Sequence, residues 1–315
     1  MTTRTQASRW KLLTWRLTQR LKRFMNNLGG RAAVVLLKLI RLTDPRHMSD
    51  FAGWVMRRIG PLLREHRIGR VNLTAAYPEK SPEEIEAILA GVWDNLGRTS
   101  AEFAHLDSLR FYYPDRPGPA EVYSLPQTYD CIDRLRRDGK PALIFTAHLA
   151  NWEIPAISAV KFDLDSAVLF RRPNLGDVAE AIDRIRGASM APLIASGPTA
   201  PFQLAAALEQ GKHVAMLVDQ HFERGIEVTF FGRRCRVNPM LARLARHVDC
   251  PIHGTRVVRE PGRRFRVDLT EELVPPRDAA GRIDIQGTMQ AITTVIEGWV
   301  REHPEQWLWL HRRWR

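Results

Sequence analysis

From residue 139 onward the chain alternates between two hydrophobic rhythms. Short apolar runs recur at Ala142-Leu-Ile-Phe-Thr146, Ser166-Ala-Val-Leu-Phe170, Ala191–Ala195, His213–Val218, Ile226–Phe231, Ile252–Val258 and Phe265–Leu269, each of a length and composition that predicts a strand. Segments with helical spacing lie among them, near 177–187, 201–210, 238–248 and 286–302. Such alternation predicts an α/β fold: a central, mostly parallel or mixed sheet with helices packed on its faces. Residues 44–138 read as mainly helical. Ser81-Pro-Glu-Glu opens a run to about Phe103 whose Ile85, Ile88, Leu89, Val92 and Leu96 share one face, and it combines a cap residue, a proline at the first helical position and acids near the positive dipole end. The stretch Tyr112–Pro119, with three prolines and a glycine, joins the helical part to the sheet-forming part.

The N-terminus has a third pattern. Trp10, Leu13, Leu17, Leu21, Phe24 and Leu28 fall at three- and four-residue spacing, flanked by Arg16, Arg20, Lys22 and Arg23, and residues 1–43 hold ten Lys or Arg and no acid. This predicts a basic amphipathic helix lying in an anionic membrane interface. An ordinary core helix and a cleaved Arg-rich transit peptide compete with that reading. The apolar run 32–40 is too short to span a bilayer and contains Lys38, so peripheral or monotopic attachment is expected. The expected organisation is therefore a membrane-associated segment 1–43, a helical part 44–138 and an α/β catalytic part 139–315, with 44–315 forming one compact unit.

Charge and cysteine content narrow the chemistry. A net charge of +12 points to an anionic partner: nucleic acid, acidic lipid or a phosphorylated substrate. Cys131, Cys235 and Cys250 form no close-spaced metal pair, and they fit a reducing compartment. There is neither a G-x-x-x-x-G-K-[ST] loop nor a G-x-G-x-x-G fingerprint, which leaves nucleotide-driven chemistry without support.

The candidate site begins where the first strand ends. His148 follows the run 142–146, and Glu153 lies five residues further on, beside an apolar helical stretch. Within a regular helix five residues turn through about 500°, leaving two side chains roughly 140° apart. The pair can meet only if His148 sits off the strand, ahead of a helix that carries Glu153. Together they would form a general base and its orienting carboxylate, suited to activating a hydroxyl. Arg171 and Arg172 follow the second strand, and Asp219-Gln220 closes the fourth; these would align cations and carboxylates along one sheet edge.

These residues, taken in order, resemble the late (secondary) acyltransferases of lipid A biosynthesis, the lauroyl/myristoyl type. The resemblance runs through Arg67, Asn72-Leu-Thr, Tyr77-Pro-Glu and Gly97-Arg98 to the block His148-Leu-Ala-Asn-Trp-Glu153. It continues through Phe170-Arg171, Arg186, Gly211, Asp219-Gln220 and Phe230-Phe-Gly232 to the terminal Pro304-Glu-Gln-Trp-Leu-Trp and His311-Arg-Arg-Trp314. Phe170 stands where the family usually has Tyr, Arg172 duplicates the family arginine, and Asn238-Pro239 lies where many members carry Thr.

The resemblance implies a lysophospholipid/glycerol-3-phosphate acyltransferase-like fold on the cytoplasmic face of the inner membrane. It also implies transfer of an acyl group from acyl-acyl carrier protein to a hydroxyl of an acyl chain on a lipid A precursor. His148 and Glu153 are the implied catalytic pair. Asn151, Arg171, Arg172, Arg186, Asp219 and Gln220 are the implied substrate contacts, with Asp219 leaning toward a scaffold role. No metal, cofactor or covalent acyl-enzyme is required, and nucleic acid is not an expected partner. Two alternatives make different predictions: a related acyltransferase acting on a phosphatidylinositol mannoside or lysophospholipid from acyl-coenzyme A, and a basic nucleic-acid-binding protein using its Trp/Arg tail.

Overall fold

A computed structural model describes residues 34–172 and 176–314. The basic amphipathic stripe at 10–28 lies outside the described residues. Residues 34–40 are helical (α1) and lead into α2 (Pro45–Ile59), α3 (Arg64–Ala76) and α4 (Pro82–Glu102). Helix α4 starts where the sequence says it should. Ser81 and Glu84 form a reciprocal capping box around Pro82, and Ile85, Leu89 and Val92 are buried along its inner face. Its partner α2 approaches closely because Gly97 has no side chain: a Cβ there would lie 2.4 Å from the carbonyl oxygen of Ala52.

The α/β part follows as β1 (Val122–Tyr123), α5 (Pro126–Arg137), β2 (Leu143–Thr146), α6 (Ile154–Lys161), β3 (Ser166–Phe170), α7 (Gly176–Ser189), β4 (Leu193–Ala195) and α8 (Ala200–Glu209). Then come β5 (His213–Leu217), β6 (Ile226–Phe230), β7 (Arg233–Val237), α9 (Met240–Val248), β8 (Ile252–Glu260), β9 (Arg264–Leu269) and α10 (Ile285–Glu302). Seven strands form one sheet in the order β1-β9-β8-β2-β5-β3-β4. Every neighbouring pair is parallel except β8–β9. The mixed, mostly parallel sheet expected from the alternation is therefore present.

Strands β6 and β7 stand apart as an antiparallel hairpin. Phe231 and Gly232 both have positive φ (51° and 67°) in its two-residue turn, the conformation whose twist matches that of the flanking strands. The motif Phe230-Phe231-Gly232 is thus a turn and a core anchor: Phe230 is fully buried. The sequence pattern does not reveal β7, because Arg233, Arg234 and Arg236 point outward and only Cys235 and Val237 are buried.

The chain's last segment crosses back over the sheet. Leu149 bridges to Trp307, the amide of Ala150 donates to the Gln306 carbonyl (2.9 Å) and the amide of Leu308 donates to the His148 carbonyl (3.1 Å). Trp307 and Trp309 are wholly buried, their rings perpendicular with centroids 4.6 Å apart. The tail is therefore a strap across the core, and its two central tryptophans are not available to stack on bases. Among the described residues no helix is long and apolar enough to cross a membrane.

Candidate active site

Parallel pairing decides what meets at the edge of the sheet. β2 lies beside β5, with Thr146 opposite Leu217. Two residues beyond each strand the same register sets His148 beside Asp219. The imidazole Nδ1 lies 2.7 Å from Asp219 Oδ1, and the backbone N–H of His148 donates to Oδ2 at 2.8 Å. Trp307 adds a third hydrogen bond, its indole N–H donating to Oδ2 at 2.8 Å. Asp219 is 2 % exposed. Burial pushes a carboxyl's pKa up, yet the adjacent His148 and its hydrogen bonds outweigh that effect and hold Asp219 well below the usual carboxylate range. An ionised Asp219 accepting at Nδ1 fixes the proton there, which leaves Nε2 with a lone pair.

That second nitrogen meets the side-chain amide of Gln220 at 3.3 Å, and Gln220 is exposed. His148, Trp152, Glu153, Phe170, Arg171, Arg186 and Gln220 all line a cleft of about 480 Å³ at the C-terminal ends of β2, β5 and β3, the usual ligand position in open α/β sheets. The Trp152 ring sits 5.2 Å from the imidazole, centroid to centroid.

The carboxylate that orients His148 is Asp219, and this corrects the expected pairing with Glu153. His148 does lie off the strand, and Glu153 is the first residue before α6. But Glu153 is turned to Arg186 of α7, whose Nε and Nη2 contact its two oxygens at 3.0 and 2.5 Å. The reason is geometric: the loop 147–153 winds through Ala150 at φ 47°, so the five-residue spacing does not bring Glu153 back to the imidazole. Arg186 is accordingly committed to Glu153, and its guanidinium also lies over Phe103 and Phe170 at 5.6 and 5.8 Å.

The remaining expected contacts divide. Arg171 lines the cleft, whereas Arg172 ion-pairs with Asp183 at 2.9 Å, outside the cleft lining. Asn151 is fully buried and serves the loop instead of a ligand: its amide donates to Glu102 at 2.9 Å and its oxygen accepts the N–H of Glu153 at 3.3 Å. Asp219 is likewise enclosed behind His148.

Helix α4 supplies what the sequence reading missed. Asn95, Thr99 and Glu102 form one polar face under the loop. Asn95 and Thr99 donate to the Ala150 carbonyl (3.2 and 3.0 Å), and Glu102 accepts from Ser49, Asn151 and both terminal nitrogens of Arg259. Burial raises the pKa of Glu102, but the Arg259 charge and these donors bring it below the ordinary value, so it is a buried anion. A polar stripe at positions 95, 99 and 102 within an otherwise apolar inner face was the available signal.

A second, smaller space adjoins the cleft. Thr146, Ala156, Val168 and Ala215 are walls the cleft shares with this narrower apolar space of about 70 Å³ between the sheet and helices α5 and α6. Small side chains, among them Ala159, Ser158 and Ser166, floor this lane, and Leu135, Leu164 and His213 lie at the far end of the strands. A larger hollow of about 600 Å³ beside Tyr112, Tyr129 and Phe162 contains no histidine and none of the residues of the 147–153 loop.

Beside this geometry stands a match over most of the chain: the model of the bacterial lipid A biosynthesis acyltransferase family matches residues 20–315. The chain belongs to this family. No individual curated protein matches it. Among the described residues no group of three or more His, Cys, Asp or Glu is arranged to hold a metal ion.

Proposed function

We propose that this lipid A biosynthesis acyltransferase is of the late type and moves a fatty acyl group from acyl-acyl carrier protein to a hydroxyl borne by an acyl chain of a lipid A precursor. The observation that carries the reading is the cleft-facing Nε2 of His148, covered only by the exposed Gln220 amide among the described residues, with ionised Asp219 behind the ring. In this mechanism the acceptor hydroxyl displaces the Gln220 amide and gives its proton to Nε2. The alkoxide oxygen bonds to the thioester carbonyl carbon, the carbon–sulfur bond breaks, and the imidazolium returns the proton to the departing thiolate. Asp219 stabilises the imidazolium without taking its proton. Glu153 and Arg186 hold the opposite wall of the cleft, and Arg171 is the cation there with no carboxylate partner among the described residues, suited to phosphate or to the developing oxyanion. The apolar lane beyond Ala215 and Ala156 suits the tail of the acyl donor.

The proposed workplace is the cytoplasmic face of the inner membrane. Ten of the fourteen large apolar side chains that are exposed among the described residues lie between Val35 and Val71, including Leu36, Leu39, Leu42, Phe51 and Trp54. Trp54 stacks on Phe51 and carries Arg58 over its face at 4.1 Å, an aromatic and cationic pairing suited to the headgroup level. The chain's excess positive charge also favours encounter with an acidic carrier protein.

The test is a mass-spectrometric assay of the detergent-solubilised protein with a lipid A precursor and with lysophospholipid as acceptors, each offered acyl-carrier and coenzyme A donors. The expected product is the lipid A precursor heavier by one acyl group, formed from the carrier-bound donor and lost in His148→Ala. Acylation of lysophospholipid alone would defeat the proposal.

A further inference from the structure

The wall behind the His148–Asp219 pair is made by the last eight described residues, and it is charged. Asp219 Oδ2 is the oxygen that does not touch the imidazole ring, and it receives the Trp307 indole N–H at 2.8 Å. Asp219 is contacted by His148 from the loop after β2 and by Trp307 from the strap; His311 and Arg313 lie on the same strap, Arg313 stacking on Phe230, whose ring is 5.5 Å from that of Trp307. His311 is half-buried with its ring 5.3 Å from that of Trp307, and its Nδ1–H donates to the Leu308 carbonyl at 2.6 Å. Burial takes its pKa down to about 4, so it is neutral and adds no charge at neutral pH. Arg313 is different. It is 1 % exposed, its guanidinium lies over Phe230 at 4.8 Å, and its Nε and Nη1 have no hydrogen-bond partner among the described residues. A buried cation without an ion pair is rare because desolvation is so costly. Asp219 is the carboxylate whose charge it feels.

We propose that Trp307 and Arg313 are positioning residues which, through Asp219, set the proton affinity of His148, the strap thereby tuning the base it covers. The physical logic is direct. A hydrogen bond and a nearby positive charge both stabilise the Asp219 anion, and an anion so satisfied attracts the imidazolium proton less strongly. This rests on the general-base reading above and adds the residues that adjust it.

The experiment measures kcat/KM against pH for the full chain in detergent micelles, using the carrier-bound donor and lipid A precursor. Four variants are compared: Trp307→Phe, Arg313→Met, Trp309→Phe and His148→Ala. Trp307→Phe keeps a ring and removes the N–H; Arg313→Met keeps an unbranched stem over Phe230 and removes the charge. Both should move the acid limb to higher pH, by about half a unit or more for Trp307→Phe. Trp309→Phe is the matched control, because its indole N–H donates at 2.8 Å to the Pro304 carbonyl and not to Asp219. Its limb should coincide with wild type even if the fold is weakened. Limbs for Trp307→Phe and Arg313→Met that coincide with wild type, while His148→Ala is inactive, overturn the inference and leave the general-base reading intact. Should Trp307→Phe fail to fold, an unmoved limb in Arg313→Met is enough to overturn it. Near-normal turnover by His148→Ala overturns both.

Discussion

At the residue scale, the site is a histidine whose two nitrogens have been made different. Asp219 holds Nδ1, and the exposed Gln220 amide is the only described side chain that occupies Nε2. The proposed chemistry therefore predicts that Asp219→Asn leaves the protein folded but lowers kcat by about 10²–10⁴-fold, since an amide no longer enforces the tautomer. Thermal melts and turnover measured on the same sample separate this from misfolding. Glu153→Gln should behave otherwise. Its loss frees Arg186 in the cleft wall, so KM is expected to rise more than kcat falls, and a purely kcat-limited defect would show that Glu153 acts on the base after all. His311 supplies a pH prediction. Its folded pKa of about 4 is below the unfolded value near 6.5, so the unfolded chain binds the extra proton between those limits. Folding stability should thus fall as pH drops from about 6.5 to 4, by up to about 3 kcal/mol, and level off below. His311→Asn should flatten that part of a melting-temperature profile.

The elements show that several of the motif residues are spent on packing the fold together. Asn72 donates to the carbonyls of Trp309 and His311 at 2.8 and 2.7 Å, tying α3 to the strap. Tyr77 packs edge-on against Phe231 at the hairpin turn. Arg98 pairs with Asp94 at 2.6 Å one helical turn away and reaches Asp50 of α2. Helix α4 carries the largest burden, since its Asn95, Thr99 and Glu102 hold the loop on which His148 is mounted. Glu102→Ala should destabilise the protein by about 3–5 kcal/mol, because it strands Arg259 and leaves Ser49 and Asn151 without their acceptor. The double variant Glu102→Ala with Arg259→Met should recover part of that loss in a denaturant titration. No recovery would mean that the loop, and not the unpaired cation, dominates the cost.

For the whole molecule, the arrangement sets a polar cleft beside an apolar lane and adds an apolar N-terminal surface. If the lane takes the donor's tail, Ala215→Phe should lower transfer of long acyl chains by about tenfold or more while sparing short ones. Competition between donors of different length, read by product mass, would reveal an unchanged preference and so refute the lane. The membrane proposal makes its own prediction. Replacing Leu36, Leu39 and Trp54 by Ser should reduce co-sedimentation with anionic vesicles without altering the circular dichroism spectrum, and undiminished binding would count against it.

The sequence by itself determined a good deal. Periodicity sets nearly every strand and helix, because burial on one or two faces imposes a repeat of 2 or 3.6 residues that composition must obey. Ser81, Pro82 and Glu84 place the start of α4 by local hydrogen bonding alone. His148 and Asp219 were both visible as polar residues at strand exits. Their partnership was not. It depends on β2 and β5 being neighbours in parallel register across some seventy intervening residues, information that no local spacing contains. The nearer carboxylate, Glu153, looked like the partner because sequence proximity is the only distance a sequence shows. Strap and sheet settled the rest: whether Trp307 faced solvent or core, and whether Arg313 was a surface cation or a buried one, followed only once the chain's end had been laid across the loop at 148–150.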